Sequence, residues 1–241
     1  MASESLPLSN KIAIVTGASR GIGRAIALEL ASLGAYVIAA ARDQQQLESL
    51  AEDARPFSGT IEPVRHDVTR AQDWQSIATQ IRSKHSRLDV LVNNAGVGDF
   101  GKPLHETSEE QFDRMIATNL RGVFLGMKYL TPLLIDSGGG DIVNISSIAS
   151  KNGVKNAAVY AATKWAVNGL SASAFEEVRD HRIRISVVCP GSVATELILG
   201  MNPNTERMLQ PEDIAHAVTG IVTQAPQSFI SEVVIRPTLK P

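Results

Sequence analysis

Tyr160 and Lys164, which stand four residues apart, are the residues whose types and spacing best suit chemistry. On a helix, two side chains at this spacing project from the same face, and the hydroxyl of Ser147 could reach them across a loop. A free tyrosine has a pKa of about 10, and a nearby ammonium would bring that pKa toward neutrality. The three residues therefore outline a proton-transfer site, although Tyr and Lys at this spacing are more often a packed ring and a solvated amine.

The composition suits one large α/β domain. The chain has 241 residues, of which 44% are hydrophobic and 20% are charged, and this is enough for a substantial core. The net charge of -2, with its basic residues scattered, argues against nucleic acid or an anionic membrane as partner. Cys189 is the single cysteine, which excludes an internal disulfide and favours a reducing compartment.

No metal site or membrane span is expected from the sequence. The five histidines show no ligand spacing, and we expect solvated or capping roles for them. The first ten residues lack an apolar core, and no stretch approaches the eighteen or so apolar residues of a span. We therefore expect a cytoplasmic protein.

Short β-rich runs alternate with longer helical patterns along the whole chain. The predicted strands are 12–16, 36–40, 61–65, 90–92, 142–145, 183–188 and 233–235. The predicted helices are 21–33, 44–54, 72–84, 108–135, 157–180 and 211–223. Nearly continuous apolar strands suit a sheet that is covered on both faces. The pattern predicts a single domain over residues 1–241, with a doubly wound, seven-stranded parallel sheet and helices on both faces.

A glycine-rich loop with Gly17, Gly21 and Gly23 follows the first predicted strand and opens a helix. Glycines let the backbone turn sharply and let a pyrophosphate approach the N-terminus of the helix, where unpaired N–H groups attract it. The loop therefore predicts a dinucleotide ligand and a Rossmann-like fold. A plain tight turn is the alternative.

Several segments resemble the short-chain dehydrogenase/reductases of the single-domain type, and the resemblance covers essentially the whole chain. The matching motifs are Thr16-Gly17-x-x-x-Gly21-x-Gly23, Asn93-Asn94-Ala95-Gly96, Asn119-x-x-Gly122-x-Phe124, Ser147 with Tyr160-x-x-x-Lys164, and Pro190-Gly191-x-x-x-Thr195. The resemblance implies a nicotinamide-dependent, reversible interconversion of a carbonyl and an alcohol.

The resemblance also implies a catalytic set of Asn119, Ser147, Tyr160 and Lys164. Tyr160 would be the acid/base and Ser147 would hydrogen-bond the substrate oxygen, where negative charge grows as hydride arrives. Lys164 would lower the pKa of Tyr160 and bind the nicotinamide ribose, while Asn119 would hold a water in a proton relay. Ser146 is the rival of Ser147, and we expect it to serve the local backbone instead.

Cofactor contacts are expected in the glycine loop and after the later strands. Asp67 would contact the adenine amino group, with a loop or helix-cap role as its alternative, and Asn93 would brace the sheet. Val193 and Thr195 would meet the nicotinamide carboxamide. The expected contacts are Gly17, Ser19, Arg20, Gly21, Ile22, Gly23, Arg42, Asp67, Val68, Asn94, Ala95, Gly96, Tyr160, Lys164, Pro190, Gly191, Val193 and Thr195.

The end of the second strand bears on the choice of cofactor. An acidic residue there binds the ribose 2′-hydroxyl of NAD, whereas arginine suits the 2′-phosphate of NADP. The family's acidic position falls on Ala41 and the next residue is Arg42, with Arg20 a second cation within reach. Asp43 complicates this, although we expect it to cap the helix near Gln44. We predict NADP(H).

The predicted substrate pocket is walled by residues 97–100, residues 148–156 and a lid at about 192–209. An apolar lid suggests a neutral or apolar ketone or aldehyde. The apolar residues of this lid are Leu197, Ile198, Leu199 and Met201.

Three further expectations concern alternatives and partners. The chain also resembles the 3-oxoacyl-(acyl carrier protein) reductases, and Lys151 and Lys155 could attract an acidic carrier, although the segment 231–238 departs from their usual ending. A hydroxy-acid or sugar-alcohol dehydrogenase is a further alternative within the enzyme class, and the alternative from another class is a catalytically idle NADP-binding regulator or interaction protein. The long apolar helices favour a homodimer or homotetramer.

Overall fold

A parallel sheet forms the centre of the molecule. The computed structural model describes residues 6–199 and 204–240, and within them seven strands pair in the order β3-β2-β1-β4-β5-β6-β7. The strands are β1 (Ile12–Thr16), β2 (Tyr36–Ala41), β3 (Thr60–Arg65), β4 (Val90–Asn93), β5 (Gly140–Ile145), β6 (Ile183–Pro190) and β7 (Glu232–Ile235). The strand order reverses between β1 and β4, so a crevice opens at their carboxyl ends.

Three helices begin at the predicted residue and three begin within one residue of it. The helices are α1 (Gly21–Ser32), α2 (Gln44–Asp53), α3 (Ala71–Lys84), α4 (Glu109–Met115), α5 (Gly122–Asp136), α6 (Ala158–Val178), α7 (Glu196–Leu199) and α8 (Pro211–Val222), of which α5 and α7 were not predicted as separate helices. The Asp43 side chain caps α2 by accepting from the main-chain N–H of Gln46 at 3.1 Å. Ser108 forms a capping box with Gln111 at the start of α4.

Helices cover both faces of the sheet because successive strand residues point to opposite sides. Ile14 of β1 belongs to an apolar cluster with Trp74 of α3 and Leu130 of α5. Its neighbour Val15 belongs to a second cluster with Leu30 of α1. The prediction of a doubly wound α/β sheet is therefore confirmed.

One predicted helix differs in its winding. The helix expected over 108–135 is α4, then a π-helical stretch at Ile116–Arg121, then α5. The π stretch contains Asn119, whose buried side chain bonds the main chain of Val97. Wide turns of this kind occur frequently at functional sites. Within residues 6–199 and 204–240, no helix is both long enough and apolar enough to span a membrane.

Candidate active site

A large cleft lies at the carboxyl ends of the strands. Its volume is about 1120 Å³, and it runs from the glycine loop to Tyr160 and the lid. Of the residues predicted to act in catalysis or to bind the cofactor, all line this cleft except Gly23 and Asn119, which lie behind it. The fold therefore brings the predicted residues together.

The glycine loop has the shape of a phosphate cradle. Gly17 and Gly21 have φ values of +64° and +54°, in the left-handed region that favours glycine. A Cβ on Gly23 would lie 2.3 Å from the carbonyl oxygen of Gly17 and 2.4 Å from Nδ2 of Asn94. Helix α1 follows, and no side chain caps its first N–H groups. The loop therefore fits a dinucleotide pyrophosphate.

Thr16 ties the ends of β1 and β4 together beneath the cleft. Its Oγ1 accepts hydrogen bonds from the main-chain N–H groups of Asn94 at 3.0 Å and Ala95 at 3.1 Å. Asn94 donates through Nδ2 to the Thr16 carbonyl at 2.8 Å. As expected, Asn93 braces the sheet internally, by donating to Oδ1 of Asn144 on β5 at 2.8 Å.

Ser147 and Tyr160 face one another at the other end of the cleft. Ser147 follows β5 and caps a 3₁₀ turn at Ile148–Ser150, with its Oγ accepting from the N–H of Ala149 at 3.1 Å. Tyr160 lies in the first turn of α6 and is 8% exposed. Burial raises the pKa of Tyr160, and the Ser147 side chain acts in the opposite direction. The neighbouring Ser146 bonds residues of α6, the carbonyl of Lys164 at 3.2 Å and the side chain of Asn168 at 2.7 Å, rather than the local backbone expected of it.

Lys164 is buried beneath the tyrosine. Its Nζ donates to the carbonyl oxygen of Ile145 at 2.9 Å and lies 5.7 Å from the centre of the Tyr160 ring. Burial lowers the pKa of Lys164 to about 8. Burial thus holds the pKa of Tyr160 above its usual value in this structure, and the lowering of that pKa by Lys164 stays a prediction.

Asn119 is fully buried in the π-helical stretch. Its Oδ1 accepts from the N–H of Val97, and its Nδ2 donates to the carbonyl of Val97, each at 2.8 Å. Nδ2 also donates to Oγ1 of Thr163 at 3.1 Å. Both amide hydrogens are thus used, and the role of Asn119 in holding a relay water stays a prediction.

Arg20 and Arg42, the two cations predicted to bind at the adenosine end of the cofactor, have different surroundings. Arg42 lines the cleft, and Asp43 beside it is used as the cap of α2. Arg20 forms an ion pair with Glu196 of α7, across the cleft from the glycine loop. Sequence reasoning missed Glu196, because no local pattern shows that a lid residue lies opposite the loop.

The position of Asp67 is compatible with both roles considered for it, contact with the adenine amino group and a role within its own loop. It lines the cleft, and its Oδ1 accepts from the N–H of Thr69 at 2.9 Å and from the Thr69 hydroxyl at 2.8 Å. Partial burial opposes these bonds, but their net effect lowers the pKa of Asp67. The carboxylate is therefore charged at neutral pH and bound to its own loop.

His66 is a cleft residue that the sequence did not single out. It is 2% exposed, packs edge-on against Trp74 with ring centres 4.4 Å apart, and lines the cleft. Burial lowers its pKa to about 4, and its Nε2 has no hydrogen-bond partner among the described residues. The expectation of a solvated or capping histidine is wrong here. Its place at the end of β3, next to Asp67, is the signal that could have found it.

The substrate end of the cleft has mainly apolar walls. Arg114, which the sequence did not single out, also lines it and pairs with Asp99. Lys151 pairs with Glu232 of β7. Of the predicted lid, Leu197 and Ile198 line the cleft in α7, and Met201 lies outside the described residues. The apolar residues of these walls are Val97, Phe100, Ile148, Ala149, Val154, Leu197 and Ile198.

Comparisons with known proteins agree with this architecture. A family model described as short chain dehydrogenase matches residues 11–206. An uncharacterized oxidoreductase of Staphylococcus aureus is 31% identical over 230 residues, which cover 95% of this chain and 98% of that protein.

Two solved structures are similar in sequence and shape. One is a metagenomic short-chain oxidoreductase in complex with NADP, with 45% identity and a TM-score of 0.86, covering 97% of this chain and 100% of that one. The other is an alcohol dehydrogenase from the archaeon Thermococcus sibiricus complexed with 5-hydroxy-NADP, with 32% identity and a TM-score of 0.88, covering 96% and 98%. Both similarities extend over nearly the whole chain.

Proposed function

The chain belongs to the short-chain dehydrogenase family, and on that premise we propose that it reduces ketones or aldehydes to alcohols, reversibly, with NADPH. The observation that carries the proposal is one continuous cleft with a phosphate cradle at one end and Ser147 with Tyr160 at the other. A hydroxyl pair beside a cofactor cleft suits carbonyl chemistry, because both hydroxyls can bond the same oxygen.

Tyr160 is the proton donor of the proposed reaction. When bound, NADPH supplies the hydride for the carbonyl carbon. Because burial raises the pKa of Tyr160, the phenol is protonated at neutral pH and holds the proton that the substrate oxygen needs. Ser147 donates a second hydrogen bond to that oxygen, and in the oxidation direction Tyr160 accepts the proton back.

Lys164 and Asn119 support this pair. Lys164 would bind the nicotinamide ribose with Nζ, which the bond to Ile145 holds at the end of β5. Asn119 secures the loop that follows β4 through its paired bonds to Val97. In this proposal Asn119 also holds the water that reloads Tyr160 with its proton, through the second lone pair of Oδ1, because both amide hydrogens are used.

Three observations support NADPH over NADH. The position that is acidic in NAD-binding members of the family is Ala41 in this chain, and the next residue, Arg42, lines the cleft. Asp43, which would suit a ribose hydroxyl, also lines the cleft, but its Oδ1 is used as the cap of α2. Two similar solved structures are complexes with NADP and with 5-hydroxy-NADP. An arginine favours a 2′-phosphate because its guanidinium forms charge-assisted bonds with phosphate oxygens.

The substrate is proposed to be a neutral or apolar carbonyl compound, because the walls at this end of the cleft are mainly apolar. The acyl carrier alternative loses part of its basis, since Lys151 is paired with Glu232. If the protein were a catalytically idle regulator, the hydroxyls of Ser147 and Tyr160 would have no catalytic role.

NADPH absorbance followed against a panel of ketones, aldehydes and 3-oxoacyl thioesters tests the proposal. We expect oxidation of NADPH with apolar ketones and a higher kcat/KM with NADPH than with NADH. No oxidation with any carbonyl would support the idle regulator. A preference for 3-oxoacyl-(acyl carrier protein) thioesters would support the carrier-linked reductase.

Assembly into a homodimer or homotetramer is part of the proposal. Phe124 of α5 is 45% exposed and Trp165 of α6 is 53% exposed, and large aromatic side chains of this kind are enriched at interfaces. Sedimentation of the purified protein would test it, and a monomer at micromolar concentration would contradict it.

A further inference from the structure

Phe100 stands between the substrate end of the cleft and a second, smaller cavity. It lines the cleft, as Tyr160 does, and it also lines a neighbouring cavity of about 40 Å³. Phe100 therefore borders both spaces, and we treat its ring as the partition between them. Other residues around the smaller cavity are Lys102, Thr107, Gln111, Met115 and Asn156.

The ring of Phe100 is packed on two sides. It meets Tyr160 edge-on, with ring centres 5.0 Å apart and planes at 68°. On another side it covers the backbone of Gly98, where a Cβ would lie 2.5 Å from Cζ and 2.6 Å from Cε2 of the ring. The absence of a side chain at Gly98 is what allows the ring to lie against Tyr160.

The loop that carries Phe100 is anchored on both sides of the ring. Asp99 forms an ion pair with Arg114 of α4. The N–H of Gly101 donates to the carbonyl of Asn156 at 3.1 Å. These contacts favour one position of the ring, so the partition is formed before a substrate arrives.

We propose that Phe100 is the residue that determines the size specificity of this site. It bounds the space for one substituent of the substrate carbonyl, so that carbonyls with one methyl-sized substituent react faster than those with two large ones. The inference rests on the proposed function, and it adds a class of substrate: an apolar ketone with one small and one large side.

The physical basis is the closeness of the ring to the proton donor. The Tyr160 hydroxyl fixes the position of the carbonyl oxygen, and the substituent nearest Phe100 must fit beside a ring that already contacts Tyr160. The larger substituent would face other apolar residues of the cleft, which include Ile148 and Val154. One methylene too many in a closed pocket costs roughly 10- to 200-fold in kcat/KM.

Acetophenone and butyrophenone form a matched pair of probes, because they share the phenyl group and differ only in a methyl or a propyl substituent. We expect the native enzyme to favour acetophenone by at least about tenfold in kcat/KM. Phe100→Ala removes the ring and enlarges the space beside Tyr160, so the preference should fall to within about threefold. Phe100→Leu keeps apolar bulk and should give an intermediate ratio, which covers the case that Phe100→Ala does not fold.

Phe57→Ala is the matched control, because Phe57 is 36% exposed in the turn after α2 and does not line the cleft. Its ratio of kcat/KM for acetophenone to kcat/KM for butyrophenone should equal that of the native enzyme. Binding of NADPH, measured by fluorescence, should be unchanged in both alanine variants, which separates a change in substrate fit from a loss of cofactor.

Gly98→Ala tests the same partition without changing Phe100. The new methyl group must displace the ring, so the ketone ratio should change by at least about threefold. In the Phe100→Ala background the same substitution should have no effect on the ratio, because the ring it displaces is gone.

The outcomes are separable. If the native enzyme reduces no ketone, the proposed function fails. If it reduces ketones but does not favour acetophenone, or if Phe100→Ala and Phe100→Leu keep the native ratio, the role of Phe100 is overturned while the function stands. An effect of Gly98→Ala that persists without the Phe100 ring would overturn it as well.

Discussion

Nζ of Lys164 donates a hydrogen bond of 2.9 Å to the carbonyl oxygen of Ile145. This bond joins α6 to the end of β5, the strand that leads into Ser147. It therefore fixes the helix that carries Tyr160 relative to the turn that carries Ser147. The bond also keeps an amine in a fully buried site, where burial lowers its pKa to about 8.

The first prediction concerns the stability of the cofactor-free protein as pH changes. The pKa of Lys164 is about 8 when folded and about 10.4 when unfolded, so between these values the unfolded chain binds more protons. Stability contributed by Lys164 therefore rises with pH across this window. Relative to Lys164→Met, the free energy of unfolding should increase by roughly 1–2 kcal/mol from about pH 7 to pH 9.5.

Urea unfolding of both proteins at the two pH values measures this difference. Lys155→Met, at an exposed position, is the control and should differ from the native protein by the same amount at both pH values. A difference for Lys164→Met that stays constant or falls with pH would contradict the burial argument.

The second prediction concerns Asn119. Replacing it with alanine removes two bonds to the partly buried main chain of Val97 and one to the buried Thr163 hydroxyl, and each lost hydrogen bond costs about 0.5–1.5 kcal/mol. We expect Asn119→Ala to lower the free energy of unfolding by about 2 kcal/mol or more. Asn152→Ala, at an exposed position, should be nearly neutral. Equal stabilities of the two variants would show that the Val97 bonds contribute little.

The third prediction concerns the phosphate cradle. Gly23→Ala puts a methyl group 2.3 Å from the Gly17 carbonyl, so the loop must open and NADPH binding should fall by at least about 100-fold. Gly220→Ala in α8 meets open space and should leave binding unchanged while raising stability by about 0.5–1 kcal/mol. Calorimetric titration with NADPH and urea unfolding would measure both. Native affinity in Gly23→Ala would rule out the proposed cradle.

The fourth prediction concerns the two arginines of the adenosine end. Arg42→Ala should weaken NADPH binding by about 10- to 100-fold and NADH binding much less, since the 2′-phosphate is the difference between them. Glu196→Gln releases Arg20 from its ion pair and should tighten NADPH binding a few-fold without a change for NADH. The dissociation constants of NADPH and of NADH would be measured for Arg42→Ala and for Glu196→Gln and compared with those of the native protein. If Glu196→Gln changed the dissociation constants of NADPH and NADH equally, the ion pair would affect the position of α7 in the lid rather than recognition of the 2′-phosphate.

The sequence predicted those features that depend on local patterns. Continuous apolar runs marked the strands, and Asp43 and Ser108 marked helix starts, because a cap is determined by a few neighbouring residues. The positions of Ser147, Tyr160 and Lys164 along the cleft followed from family motifs.

Other features depend on contacts between distant segments and could not be predicted. The π-helical stretch depends on a bond from Asn119 to Val97, which no helical periodicity reveals. The pKa of Tyr160 depends on how deeply the ring is buried, and the partner of Arg20 depends on where α7 lies. Spacing along the chain does not determine these distances.

The central claim is that Tyr160 delivers the proton. Tyr160→Phe keeps the ring, and with it the contact to Phe100, but removes the hydroxyl. Its kcat for NADPH-dependent reduction of acetophenone should fall by at least about 100-fold, with the dissociation constant of NADPH within about threefold of the native value. A Tyr160→Phe enzyme that binds NADPH normally and keeps native turnover would contradict the account.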